Sequence, residues 1–318
     1  MTSLQIALAT CNGARYLPEL LQSLFAQTCQ DFEIVVADDN SNDQTLAVLA
    51  DFQTRYPGRI RIVGFAERSG GAAANFERLS NHLSADYIAY CDQDDVWLPH
   101  KVASSLDRVH AVEVRYGRDF PILVHTDLKL VDAELKLLHP SFWRYMSINP
   151  ERRTLQKLLI EMSVTGCAVM INRALLQLAL PIPPEATMHD HWFSLVAAAF
   201  GQIEFIAEPS ILYRQHGHNA SRRPQRGARA FVRRAAEVLS KSTAQRDHEE
   251  FNQMARQAAV FASRYGAALD ADQRRVLDVL ANIQSRKRLS KCVSLLRTGI
   301  LRTSLMRNLA LFHLLLST

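Results

Sequence analysis

No Cys-x-x-Cys pair occurs in this chain, and its five cysteines (Cys11, Cys29, Cys91, Cys167 and Cys292) are scattered and odd in number. That argues against a zinc ribbon or a disulfide framework and fits a reducing compartment. No basic segment precedes the first apolar run, "LQIALAT", so no signal peptide is expected. No apolar run reaches the roughly 20 residues that span a bilayer. The chain has neither internal repeats nor a low-complexity tract. Acidic residues are missing from two stretches. None lies between Arg222 and Arg234, which hold six arginines, and none follows Asp278, while seven Lys and Arg residues do. The net charge of +5 (37 basic, 32 acidic) is therefore unevenly placed. A basic end suits nucleic acid, anionic lipid or a polyanionic substrate. It lacks the interleaved aromatics that stack on bases, which puts nucleic acid last.

With 318 residues, 48% of them apolar, the chain can form one large domain, alone or with an appendage. "LQIALAT" reads as a buried strand ending in the Asn-Gly turn of "CNGAR". "YLPELLQSLFAQT" has helical spacing. "FEIVVADD", "RIRIVGF" and "DYIAYCD" read as further apolar strands, separated by helices that open at "NSNDQT" and "GGAAAN". Alternating helices and uninterrupted apolar strands indicate an α/β fold with a mostly parallel sheet covered on both faces. Ligands of such sheets bind beyond the carboxyl ends of the strands. The polar clusters fall there: Thr10 to Asn12, Asp38 and Asp39, and Asp92 to Asp95. Beyond residue 120, "FPILVHTDLKLVD" reads as a strand pair or a bent strand. "SVTGCAVMINRALLQLALPIP" reads as strand then helix, "HDHWFSLVAAAFG" as a helix, and "IEFIAEPSILYRQHGHNAS" as a strand and polar loop. A linker is expected at Ser221–Gly227, with helix from Ala228 onward.

Three carboxylates within four positions, Asp92, Asp94 and Asp95, repel one another unless a cation sits among them, and a hard divalent ion is the natural occupant. The plainer reading is a solvated acidic loop. At Asp38 and Asp39 a carboxylate can accept from a base N–H or ribose hydroxyls, or can cap the following helix. Asp190, in "MHDHW", can serve as a proton acceptor or as a helix-N-terminal acid. The pairs His189/His191 and His216/His218 also permit a four-histidine zinc site, though that reading leaves the aspartates unused.

The segments "IALATCNGARYLPELLQSLFAQT", "FEIVVADDNSNDQT", "YCDQDDVWLPHK", "VTGCAVMINR", "HDHW" and "YRQHGHN", spread over residues 4–219, together resemble family 2 glycosyltransferases of the GT-A fold. "DQDDVWLP" and "YRQHGHN" resemble the rhamnosyltransferase-like subgroup that builds bacterial surface polysaccharide or lipopolysaccharide. The resemblance implies a Rossmann-like GT-A domain over 1–221, with a nucleotide-sugar half (1–100) and an acceptor half (101–221), followed by a basic helical region over 228–318. It implies an inverting hexosyltransferase with dTDP-L-rhamnose as preferred donor and UDP-sugars as the next. Thr10, Asn12, Asp38, Asp39, Arg68, Asp92, Gln93 and Arg214 would contact the nucleotide-sugar. Asp94, with Asp92 and His216, would hold Mg²⁺ or Mn²⁺. Asp190 would be the base, and His191, Trp192 and Gly166 would meet the acceptor. The family's usual Glu-Asp is His189-Asp190 here.

The implied acceptor is a glycan or lipid-linked oligosaccharide, and the expected place is the cytoplasm, including the inner-membrane surface. Homo-oligomerisation stays open. A phosphohydrolase or nucleotidyltransferase on a similar sheet is the rival enzyme, but the first strand ends "ALATCN" without the acid the haloacid type needs there. A non-catalytic nucleotide-sugar binder is the other rival. At the basic end, Arg297, Arg302 and Arg307 are five apart and walk around a helix, and "LALFHLLL" is too short to span. Docking on an anionic membrane and packing as a plain helical appendage both remain open.

Overall fold

The computed structural model describes residues 3–216 and 241–317, so His218 and the linker expected at 221–227 lie outside the described residues. The chain divides into two compact units. One comprises 1–153, 163–184 and 188–217, the other 154–162, 185–187 and 218–318. The second unit thus takes in two short segments from within the span expected for the catalytic domain.

The first unit opens with strictly alternating elements: β1 (Leu4–Thr10), α1 (Leu17–Phe25), β2 (Phe32–Asp38), α2 (Thr45–Arg55), β3 (Ile60–Val63), α3 (Ala72–Ser80) and β4 (Tyr87–Asp92). It continues through β5 (Val96–Trp97), α4 (Lys101–Tyr116), β6 (Ile122–Val131), β7 (Leu137–His139) and α5 (Phe142–Met146). After α6 (Leu155–Leu158), which belongs to the second unit, come β8 (Val169–Asn172), α7 (Arg173–Ala179), α8 (His189–Phe200) and β9 (Gln202–Arg214). The strand order is β3-β2-β1-β4-β8-β6-β9-β5, with β7 paired to β6.

Strands β1 to β4 pair in parallel, as their apolar runs predict. Beyond β4 the sheet is mixed: β8 lies antiparallel between β4 and β6, while β9 runs parallel to β6. Strand direction was not readable in the pattern, because a central strand covered on both faces is continuously apolar whichever way it runs. Ile6, Leu8, Ile34, Val36, Ala89 and Met170 sit in the resulting core. The register puts the site in place. Thr10 pairs with Asp38 and Ala9 with Asp92, so the polar ends of β2, β1 and β4 form a row along one edge of the sheet.

The second unit is helical: α6, α9 (Lys241–Tyr265), α10 (Ala271–Ala281), α11 (Arg288–Thr298) and α12 (Leu305–Ser317). Asp270 and Gln273 form a capping box at the start of α10. Gly299, at φ +70°, ends α11 in the left-handed conformation a side chain would strain. Phe251, Phe261, Leu277, Leu280, Leu295 and Leu315 lie in its interior. Arg307 pairs with Glu161, and the Lys157 ammonium donates to Gly299 O at 3.1 Å.

Candidate active site

Two asparagines in left-handed backbone conformation, Asn12 (φ +51°) and Asn40 (φ +52°), turn the chain at the ends of β1 and β2. Asparagine tolerates that region because its short polar side chain bonds locally. The two loops are stitched together by side chains. The Asn12 N–H donates to Ser41 Oγ (2.8 Å), Gly13 N–H to Thr45 Oγ1 (2.8 Å) and Ala14 N–H to Asp43 Oδ2 (3.1 Å). Asn12 Oδ1 accepts from Asn42 N–H at 2.8 Å.

Asp38 belongs to this framework. Its Oδ1 accepts from the Thr10 hydroxyl (2.7 Å) and the Ser41 hydroxyl (2.6 Å), and its Oδ2 from Ser41 N–H (2.8 Å). The structure therefore gives Asp38 and Thr10 a part in holding the loops together. Asp39 differs. Its Oδ1 accepts from Ser69 N–H and from Arg78 (2.8 Å), whereas Oδ2 has no hydrogen bond among the described residues. An oriented carboxylate with one open oxygen at the end of β2 suits a base N–H or a ribose hydroxyl. Arg78, which holds it, was missed in the sequence because an arginine late in a helix carries no motif. Arg68 is exposed above the same loop and donates to Asn40 O at 3.0 Å.

At the end of β4 the three carboxylates separate into two kinds. Asp95 is fully buried and accepts from Arg214 N–H at 3.1 Å. Burial pushes its acid well above the usual carboxylate range, and the neighbouring Asp94 and Asp92 charges push it further. Asp92 and Asp94 keep partial exposure, and Asp94 Oδ2 lies 2.7 Å from His216 Nε2. The His216 ring stacks on Tyr16 at 4.9 Å. Beneath the cluster, Lys101 is fully buried with its ammonium 4.3 Å over the Trp97 ring. Burial draws its pKa down to about 8, against the opposing pull of Cys167, Cys91 and Asp95. A buried lysine in "DVWLPHK" escaped notice because lysine so placed usually reads as surface.

Gln93, expected to touch the donor, bridges strand ends: its Oε1 accepts from Cys11 N–H (2.8 Å) and its Nε2 donates to Cys11 O (3.0 Å). Arg214 also bonds within the protein. Its side chain is 1% exposed. Nε donates to Asp94 O (2.8 Å), Nη1 to Ala133 O and Nη2 to Glu19, while the guanidinium lies 4.6 Å from the Tyr16 ring centroid. Arg214 thereby fastens the acidic loop to α1 and to the turn after β6.

Asp190 lies in the first turn of α8, 5% exposed, its Oδ1 accepting from His191 N–H at 2.8 Å. Burial raises its pKa to about 7, and the backbone N–H groups of His191, Asp190 itself and Gly166 hold it back from rising further. Gly166 abuts it: a Cβ there would come within 2.9 Å of Asp190 Oδ2. The next residue, Cys167, places its sulfur within 4.8 Å of carboxylate oxygens of Asp92 and Asp95. The dipeptide Gly166-Cys167 therefore lies between Asp190 and the acidic cluster. Gly166→Ala is expected to lower kcat by up to about 100-fold through displacement of Asp190, with only a small loss in Tm. Kinetics and melting of the same preparation check it.

Trp192 does not face an acceptor. It is fully buried and its indole N–H donates to Ala179 O at 2.9 Å, so it packs the core. The His191 ring is buried as well, 3% exposed, and this residue enters the site through its backbone. His189 takes no ligand role either. Its ring sits against Phe76 (4.1 Å) and Tyr90 (4.9 Å), and burial lowers its pKa to about 3. That disperses the four-histidine zinc reading: His189 is enclosed by aromatics, His216 faces Asp94, and His218 lies outside the described residues.

An open α/β sheet whose neighbouring parallel strands β2, β1 and β4 end in polar side chains, with carboxylates after β2 and β4, is built to bind a ligand beyond the strand ends. The chain belongs to glycosyl transferase family 2, whose sequence profile matches residues 5–178. It is 28% identical over 224 residues, 67% of this chain and 72% of the relative, to the dTDP-rhamnosyl transferase RfbG of Shigella flexneri. An uncharacterized glycosyltransferase of Nostoc is 27% identical over 223 residues, covering 68% of this chain and 66% of that protein. The fold is that of S. aureus TarS 1–349, solved with UDP-GlcNAc: TM-score 0.56 at 14% identity, covering 99% of this chain and 90% of that one. Among the described residues no helix is long and apolar enough to cross a membrane.

Proposed function

We propose that this glycosyltransferase is inverting and depends on a divalent cation, moving a hexose from a nucleotide-sugar to a glycan or lipid-linked oligosaccharide of a bacterial surface polysaccharide such as lipopolysaccharide. One observation carries the reading. Asp190, poised near neutrality, lies across Gly166-Cys167 from the carboxylate cluster at the end of β4. An acid with a pKa near the working pH is suited to take a proton from an attacking hydroxyl.

Asp39 offers its open oxygen to the nucleoside, with Asn12 and Arg68 on the adjoining loops. Asp94 and Asp92 are hard, partly exposed oxygen donors and fit Mg²⁺ or Mn²⁺, with His216 beside Asp94. The thiol of Cys167 is a poor ligand for a hard ion, and Asp95 is enclosed. When bound, the cation would neutralise the charge gathering on the departing diphosphate. Asp190 accepts the acceptor's hydroxyl proton as that oxygen attacks the anomeric carbon from the face opposite the leaving group.

The likeness to RfbG favours dTDP-L-rhamnose as donor, with UDP-sugars next, as TarS is solved with UDP-GlcNAc. An acceptor carried on lipid places the enzyme at the cytoplasmic face of the inner membrane. Thermal shift with dTDP, UDP, GDP and CDP, each with and without Mn²⁺, tests the donor site. One nucleotide is expected to stabilise the protein, by about 2.7 kcal/mol at a hundredfold excess over its Kd, and more with metal. No shift with any of the four would sink the reading.

A further inference from the structure

Seven of the twelve exposed large apolar side chains among the described residues fall within residues 289–316. On α11 they are Leu289, Val293 and Leu296, which share a face within about 60° at 3.6 residues per turn. On α12 they are Leu305, Met306, Leu309 and Leu316, on the side opposite the buried Leu311 and Leu315. These seven are 39–75% exposed, and the α12 face carries no charged residue. The two helices pack against each other. Gly299 ends α11, so Arg297 lies on α11, Arg302 on the connection and Arg307 on α12, and the five-residue spacing does not run along one helix; the apolar residues of each helix do share a face.

The charge around this face is of one sign. Three of the seven cations after Asp278 are engaged: Arg286 with Asp278, Lys291 with Gln284, and Arg307 with Glu161. Lys287, Arg288, Arg297 and Arg302 have no acidic partner among the described residues. Arg288 and Arg297 flank the α11 stripe on its two sides, about 100° and 80° from Leu289. Exposed apolar patches of this kind need an occupant.

We propose that the outer faces of α11 and α12 form a docking surface for an anionic lipid bilayer, with the leucines entering the headgroup boundary and Lys287, Arg288, Arg297 and Arg302 facing lipid phosphates. Charge decides the occupant. A two-fold contact between copies would bring these unpaired cations toward their own kind, whereas an anionic leaflet neutralises them. The proposal rests on the glycosyltransferase reading for its purpose, since docking confines the attached catalytic unit to the surface where a lipid-linked acceptor lies. Its evidence is independent of that reading.

Flotation of the full chain with vesicles of phosphatidylcholine, alone or with one-third phosphatidylglycerol, tests it. Binding is expected to the anionic vesicles only and to weaken as salt screens the cations. The double variants Leu305→Asp/Leu309→Asp and Arg288→Ser/Arg297→Ser are each expected to lower partitioning at least tenfold, while Val114→Asp, an exposed site on α4, leaves it unchanged. Unaltered melting and nucleotide-induced stabilisation would show that the variants fold and keep the donor site. A wild-type chain that ignores anionic vesicles overturns the proposal, as does binding indifferent to both double variants. So does self-association that the leucine variant abolishes while no vesicle binding is seen. None of these results bears on the nucleotide shifts, so a failed docking surface and a failed transferase reading stay distinguishable.

Discussion

Asp190→Asn is expected to lower kcat by roughly 10²- to 10⁴-fold while nucleotide-induced stabilisation survives. The amide is nearly isosteric, so Gly166 and His191 keep their places, but it cannot take up a proton. In the unaltered enzyme kcat/KM should rise with pH and level off above about 7, the value to which burial raises this acid. Stability supplies a second readout with a definite sign. The folded pKa lies above the ordinary value, so the folded state binds the proton more tightly than the unfolded chain does. The site is neutral in its effect below pH 4. Its ionisation costs stability progressively between about pH 4 and 7, and the cost is constant above. A shift from 3.8 to about 7 sets an upper bound of roughly 4 kcal/mol. Asp190→Asn should therefore melt higher than wild type at pH 8, by an amount that shrinks toward zero near pH 4. A variant with unchanged kcat would remove the base from the mechanism, and a variant inactive but also unable to bind nucleotide would point to a structural role.

Asp94→Ala should abolish the metal-dependent part of nucleotide stabilisation and lower kcat by about 10³-fold or more, because several kcal/mol of leaving-group stabilisation depend on the cation. Asp95→Asn should behave differently. Asp95 is buried, which pushes its acid up, and it points away from solvent, so the amide is expected to cost little in metal response and to act mainly through its contact with Arg214 N–H. Titration with Mn²⁺ in the presence of the stabilising nucleotide separates the two. Equal loss of metal response in both variants would mean that the cluster acts as one site and that the division by burial is wrong.

The alternation of β1 to β4 with their helices was legible because a parallel strand covered on both faces must be apolar throughout and the turns between must be polar. The same logic put Asp39, Asp92 and Asp94 at strand ends and Asp190 at a helix start, where the structure also has them, since polar residues there interrupt a periodic pattern. It did not foresee that Arg214, Gln93 and Trp192 bond within the protein, because their residue types suit a ligand as well as they suit the protein itself. Arg214 spends its donors on Asp94 O, Ala133 O and Glu19, partners 81 to 195 residues away in sequence. No local pattern carries such pairings.

The sequence by itself determined the parallel half of the sheet and the positions where carboxylates end strands, because these depend on local periodicity and turn chemistry, while the family rested on the resemblance of whole motifs spread along the chain. Only the tertiary structure decided which carboxylate is buried: Asp95 is enclosed, which pushes its acid up, while Asp92 and Asp94 keep access to solvent. It decided also that Gly166-Cys167 lies between Asp190 and the acidic cluster, and that seven apolar side chains of α11 and α12 face outward. Helical periodicity gives each helix its faces, but which face the rest of the fold covers is settled by packing between segments distant in the chain.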